Sequence, residues 1–534
     1  MRSLLHKLLF VLFSGVLTVN VCAQLSPCPL RPPAGSQIVN PFDLYSQNGT
    51  LTLDLTLKNG TDSNGFSHYC YIYQYQGKQI EAPTLRLNPG DQLILNLTDS
   101  ISSSMLRKNM AHMHGAMKMS GTKGADDPCN PTEVLPTSTN LHFHGLNVPP
   151  LCHQDDVINT LLQTGDPPFQ YSLQIPPNEP PGMYWYHPHP HGYTTDQVIG
   201  GASGAIIVEG NNPLTQGLTE RILIMREQVK SGPARDPDAN TQITLNFAPA
   251  VYPEDAPANT ISVQAGKQEY WRFLNSSSKQ FASLQLLYGV TPQQLEVIAV
   301  DGVQLQEPIY ESTVYVPPAG RVEFIIPGLP ADQVGTFLTL GYNTGPVGDP
   351  NGYHILAEVM PSGTPHLAKR PAHPVKPPAD RRRFSGLATQ APTTTRSLYF
   401  SEQNVGTNGG TQFFITVVGQ KPRVFHMDDP PAIVTNTGAV EDWTIENHSG
   451  EVHAFHIHQI HFLVMAINGV PVPNPDLQDT IIVPPWTGSG PYTSVTLRMD
   501  FRDQNIAGTF VYHCHILDHE DGGMMAKIQV NKAN

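Results

Sequence analysis

Through most of the chain, apolar residues recur at every second position in short runs that end at Gly, Pro or Asn. Leu51, Leu53, Leu55 and Leu57 alternate with polar residues, and Asn59-Gly60 then reads as a break. Leu93, Leu95 and Leu97 repeat the pattern after Pro89-Gly90. Successive side chains on a strand face opposite ways, so each run can bury one face and wet the other. The segment 204–210 predicts the last strand of a first unit, and further strands are expected at 221–225, 261–264, 270–274 and 322–326. No long amphipathic helix stands out. The fold class expected is all-β, a set of Greek-key sandwich or barrel domains.

Composition supports that picture: 50 Pro and 44 Gly, with only 14% charged residues, suit a loop-rich β protein. A length of 534 residues suggests about three domains. The punctuation places them at 24–211, 212–360 and 397–534. Residues 361–396, rich in Pro and including Arg381-Arg382-Arg383, read as a surface linker.

Arg2 and Lys7, an apolar run from Leu8 to Val19 and then Val21-Cys22-Ala23 have the layout of a secretory signal, residues 1–23, cleaved after Ala23. That run is short for a membrane span. The mature chain is therefore expected to be secreted or periplasmic, free of the membrane. It keeps Cys28, Cys70, Cys129, Cys152 and Cys514. If Cys514 serves a metal, the other four allow three connectivities. The pairs Cys28–Cys70 and Cys129–Cys152 are the arrangement expected, with free thiols as the alternative. The net charge is −14, with no basic stripe, which argues against nucleic-acid binding.

The chemistry concentrates near the C-terminus, in His513-Cys514-His515 followed by His519 and Met524. The preceding 508–512 reads as a buried strand, so His513 and His515 point one way and Cys514 the other. His519 and Met524 follow in a loop able to fold back toward Cys514. Two His, one Cys and a weak Met form the ligand set of an electron-transfer copper site. Three further clusters carry paired histidines: His142-Phe143-His144, His187-Pro188-His189 and His453-Ala454-Phe455-His456-Ile457-His458. One such pair is weak evidence for a metal, but four clusters at opposite ends of one chain are strong together. The span 212–360 holds only His354 and no cysteine, so it is expected to carry no copper site.

The four clusters, in this order and spacing, resemble the multicopper oxidases, laccase-like enzymes built from three cupredoxin domains. The phrases His187-Pro188-His189-Pro190-His191-Gly192 and 513–525 look like bacterial members. The resemblance implies four copper ions. His453, Cys514 and His519, with axial Met524, would hold the type 1 copper; His142 and His456 would hold type 2. One type 3 copper would take His144, His187 and His513, and the other His189, His458 and His515. The middle domain would be a spacer. The resemblance further implies a monomer that takes electrons one at a time at type 1 and reduces dioxygen to water. Glu520 matches an acidic position that relays protons, and Asp155-Asp156 resembles another, with the choice between the two open.

The donor is less defined. Phenols and aromatic amines suit a laccase-like enzyme. Met105, Met110, Met113, Met117 and Met119, with His112 and His114, make a Met-rich insert at 105–119. Thioethers select Cu(I), so a cuprous oxidase for copper tolerance is the alternative. Some three-cupredoxin proteins have lost their ligands and act as scaffolds; the complete ligand set argues against that role here.

Overall fold

The computed structural model describes residues 28–61, 67–103, 117–118, 127–229, 241–251, 257–349, 351–363, 383–405 and 410–533. The expected signal segment lies outside these residues. So does the Met-rich insert, apart from the backbone of the two-residue strand Met117–Lys118.

Strands dominate, and they form three successive pairs of sheets. Between Asp43 and Val208 two five-stranded sheets form. Thr50–Thr61 and Gln92–Ser100 are parallel neighbours in one sheet, with Leu51 beside Leu93 and Leu55 beside Leu97. Their alternate leucines are buried against Leu85, Leu87, Tyr184, Tyr186, Ile206 and Val208 of the other sheet. The period-two pattern is thus the inner face of a sandwich. Seven- and six-stranded sheets follow between Thr219 and Ser362, with Trp271, Phe273 and Phe324 in their core. The last pair, between Thr394 and Asn531, encloses Phe400, Trp443, Phe455, Leu497 and Tyr512.

Two sequence expectations need correction. The strand from Thr50 does not break at Asn59-Gly60 but runs to Thr61. The Asn59 side chain binds the backbone of Ser102, accepting its N–H at 2.7 Å and donating to its carbonyl at 3.1 Å, while Asn59 and Gly60 pair with Tyr69 and His68. Paired neighbours override the local turn preference. Second, His519 sits not in a loop but on the short helix Leu517–Asp521. The N–H groups of His519 and Glu520 both donate to the Ile516 carbonyl, which turns the chain back at once.

The units are joined by side chains rather than merely tethered. Met183, Trp185, Ala205 and Ile207 of the first pack against Ile222, Ile224, Leu274 and Ala319 of the second. Val157 and Ile158 of the first pack against Phe425, Val511 and Met525 of the third. Disulfides join Cys28 to Cys70 and Cys129 to Cys152, leaving Cys514 free and buried. Leu95 is fully buried in the first core, so Leu95→Ala should lower stability by about 2–5 kcal/mol. A denaturant titration that leaves the first unfolding midpoint unmoved would contradict this placement.

Candidate metal centres

The strand Gly508–Cys514 carries two sites on its two faces. It pairs antiparallel with His453–Ile457, placing Phe455 opposite Cys514 and His456 opposite His513. Cys514 points into the third unit's core. Its Sγ lies 3.6 Å from His453 Nδ1 and 3.8 Å from His519 Nδ1, and the two Nδ1 atoms lie 3.3 Å apart. Met524 is fully buried in the same core. The backbone fastens it there: Cys514 N–H donates to the Met524 carbonyl, and Met524 N–H to that of His519.

The opposite face meets the first unit. Strands His142–His144 and Gly182–His187 pair with His142 opposite His187. Their histidines interleave with those of the third unit ring on ring. His142 stacks on His458 with centroids 3.8 Å apart, and His144 on His456 at 3.9 Å. Eight imidazoles meet here, in sets whose ligand atoms lie within 4.8 Å of one another: His142, His144 and His456; His144, His187 and His515; His189, His458 and His513.

The grouping corrects the sequence expectation, for His513 and His515 exchange places. His513 Nε2 lies 3.3 Å from His458 Nε2 and 3.5 Å from His189 Nε2, while the His515 ring is 5.3 Å from His144 and 5.6 Å from His187. The strand register alone does not set this grouping, for it places His456 opposite His513; His458 N–H bonds the Val511 carbonyl beyond the paired residues, and its ring reaches back to His513.

Both sites fit a soft or borderline metal. His142 Nε2, His144 Nδ1, His187 Nε2 and His456 Nε2 are buried without a hydrogen-bond partner among the described residues, although hydrogen bonds hold the other nitrogen of each. Burial pushes all eight imidazoles below their usual pKa, which keeps them neutral, the form that binds a metal. Burial likewise pushes the Cys514 thiol up; only a bound cation would draw its proton off. Two imidazoles, one thiol and a thioether select copper with electron transfer.

The models for multicopper oxidases match residues 129–213 and 395–534, which hold both clusters. The chain carries two multicopper oxidase domains. A multicopper oxidase of Staphylococcus aureus is 24% identical over 516 residues, 90% of this chain and 92% of its own length. A laccase of Haloferax volcanii is 24% identical over 431 residues, 76% of this chain and 70% of its own. The fold is also that of a multicopper oxidase from Campylobacter jejuni described as a metallo-oxidase (TM-score 0.66, 21% identity, 94% of this chain and 96% of that one). McoA from Aquifex aeolicus matches equally (TM-score 0.66, 20% identity, 93% and 100% covered). The enzyme is thus an oxidoreductase with dioxygen as acceptor, and its family binds copper.

Around the centres of this oxidase stand carboxylates. Asp155 accepts from His142 Nδ1–H at 3.0 Å, from Phe143 N–H at 3.0 Å and from the Gln459 amide at 2.6 Å. Asp156, its neighbour, instead accepts from the backbone and side chain of Asn159. That corrects the open choice: Asp155 meets the cluster and Asp156 does not. Glu520, fully buried, spans two rings, with Oε1 3.5 Å from His189 Nδ1 and Oε2 3.3 Å from His513 Nδ1. Burial, then repulsion from Asp521, pushes its carboxyl well above the usual range.

Sequence reasoning missed Asp479, Arg321, Glu402 and Glu451. Asp479 touches His144 Nε2 at 3.2 Å, and its backbone carbonyl accepts from His456 Nδ1 at 2.8 Å. Burial alone would raise its pKa, but Arg321 holds it below the usual carboxylate value. The only local signal was an Asp just before the short strand Thr480–Val483. His191 lies edge-on to Phe425, and His461 donates to the Asp301 carbonyl at 2.9 Å.

Asp155→Asn should lower activity by roughly 10- to 100-fold, the usual cost of losing a carboxylate that orients a metal-binding imidazole. Asp156→Asn should stay near wild type. Equal effects in steady-state assays would show that proximity to His142 is not what matters.

Proposed function

We propose that this oxidase takes single electrons from a small reductant at the Cys514 site and uses them to reduce dioxygen to water at the eight-histidine site. One observation carries the reading: Cys514 stands in one site, and its covalent neighbours His513 and His515 stand in the other. When bound, copper supplies the one-electron redox chemistry and the activation of dioxygen; the donor sets suit four ions, one at His453, Cys514, His519 and Met524, one at His142 and His456, and two at the remaining six histidines. The chain's share is to bury these side chains, fix their tautomers and deliver protons. Its two disulfides support a working place outside the reducing cytosol, secreted or periplasmic.

Glu520 suits proton delivery. It lies against His189 and His513, and its raised pKa lets it hold a proton where water is scarce. Glu520→Gln keeps the shape and removes the exchangeable acid. It should slow dioxygen consumption by about 10²-fold or more while the visible thiolate–copper band stays. Full turnover with an unchanged pH profile would remove Glu520 from this role.

The donor's arrival point is the outer edge of His453 and His519. Glu402 Oε1 lies 3.4 Å from His453 Nε2, and Glu451 Oε2 lies 3.5 Å from His519 Nε2. Both carboxylates remain partly accessible, while His453 is fully buried and His519 nearly so. Burial raises both carboxyls, Glu451 to about 8, so this edge suits a positively charged donor that draws their protons off, and a cuprous ion fits that charge. A second reading, a phenol or aromatic amine, is favoured by half-buried Phe413, stacked on His519 at 4.2 Å. The double variant Glu402→Gln, Glu451→Gln separates them. It should raise KM for Cu(I) by roughly tenfold or more and leave a neutral phenol little affected. Equal losses on both donors would sink the cationic preference.

A further inference from the structure

The middle unit contributes no metal-binding histidine, yet one of its side chains reaches the cluster. Arg321 opens the strand Arg321–Ile326 and is fully buried. Its guanidinium forms a two-pronged pair with Asp479 of the third unit, Nη1 to Oδ1 at 2.7 Å and Nη2 to Oδ2 at 2.5 Å. Asp479 Oδ1 in turn accepts from His144 of the first unit at 3.2 Å. Arg321 also donates through Nε to the carbonyl of Met183, on the strand that ends at His187. Three units therefore meet at one guanidinium.

The middle unit holds this pair from behind. Asp301 accepts from the backbone N–H of Arg321 at 2.9 Å and from those of Asp479 and Thr480 at 3.1 and 3.2 Å. The first unit leaves room in front. Gly145, next to His144, has φ +88°, and a Cβ there would stand 2.6 Å from Arg321 Nη2 and 2.7 Å from Asp479 Oδ2. The glycine of His142-Phe143-His144-Gly145 is thus fitted to the ion pair.

We propose that Arg321 is a positioning residue for the oxygen-reducing cluster, acting through Asp479 on His144 and His456. The chemistry is tautomer selection. A carboxylate on His144 Nε2 keeps the proton there and leaves Nδ1 for a metal, and the Asp479 carbonyl on His456 Nδ1 leaves Nε2. Both free nitrogens lack a partner among the described residues and lie in one donor set with His142. Arg321 grips both Asp479 oxygens in its planar fork, so the carboxylate cannot rotate off His144. The middle unit is then a working part of the centre rather than a spacer.

The inference rests on the reading that the eight histidines hold copper, and the test separates the two. Wild type, Arg321→Met, Arg321→Lys and Asp301→Asn are loaded with copper. The control is Arg221→Met, which breaks a buried ion pair with Glu269 that belongs to the middle unit alone. Copper retention against a chelator, the visible thiolate band and the electron paramagnetic resonance of the non-blue copper are recorded. Arg321→Met should keep the visible band but lose copper from the histidine cluster about 10- to 100-fold more readily, with altered non-blue hyperfine splitting. Arg321→Lys should recover part of the loss. Asp301→Asn, milder, should shift the same signal if Arg321→Met does not fold. If Arg321→Met and Arg221→Met behave alike, or if Arg321→Met and Asp301→Asn keep the wild-type signal and retention, the inference is overturned. If wild type itself carries no non-blue copper, the copper reading falls instead.

Discussion

Eight imidazoles crowd one dry seam between the first and third units, and the rest of the structure answers to that crowding. Protonating them together would bury several like charges, which no interior tolerates. Burial keeps them neutral, and each neutral ring must then offer its lone pair on the correct side. Asp155 on His142, the Pro188 carbonyl on His187, the Asp479 carbonyl on His456 and the Cys514 carbonyl on His513 hold the far nitrogens. A site of this kind is built as much by what stands behind the rings as by the rings themselves.

The same seam explains how the units are joined. Trp185 stacks on His187 at 4.1 Å and belongs to the apolar cluster shared with the middle unit. Arg321 and Asp301 reach the histidines through Asp479. The middle unit braces strands of both outer units at the places where those strands carry histidines. A hinge at that junction would pull His142 off His458 and His144 off His456, so stiffness between units is a requirement of the centre.

Much of the fold could be read from period and punctuation. The alternating leucines at 51–57 and 93–97 are strands with one face in a core. The break expected at Asn59-Gly60 did not survive, because a paired neighbour and the Ser102 backbone satisfied what a turn would have satisfied. The histidine clusters could be read because their spacing is short: two residues apart on a strand share a face whatever the tertiary context.

Alternation alone determined that Cys514 would face one site while His513 and His515 faced another, since a strand's pleat is a local property of its backbone. Which imidazoles share an ion was decided only in three dimensions, because the strand register sets His456 opposite His513 while the folded side chains bring the rings of His458 and His189 to it. Tertiary structure also chose Asp155 over Asp156, set Glu402 and Glu451 at the outer edges of His453 and His519, and closed the Arg321–Asp479–His144 chain. His144 and Asp479 are 335 residues apart. No local propensity acts over that distance; packing of whole sheets brings the two together, and the sheets carry their carboxylates with them.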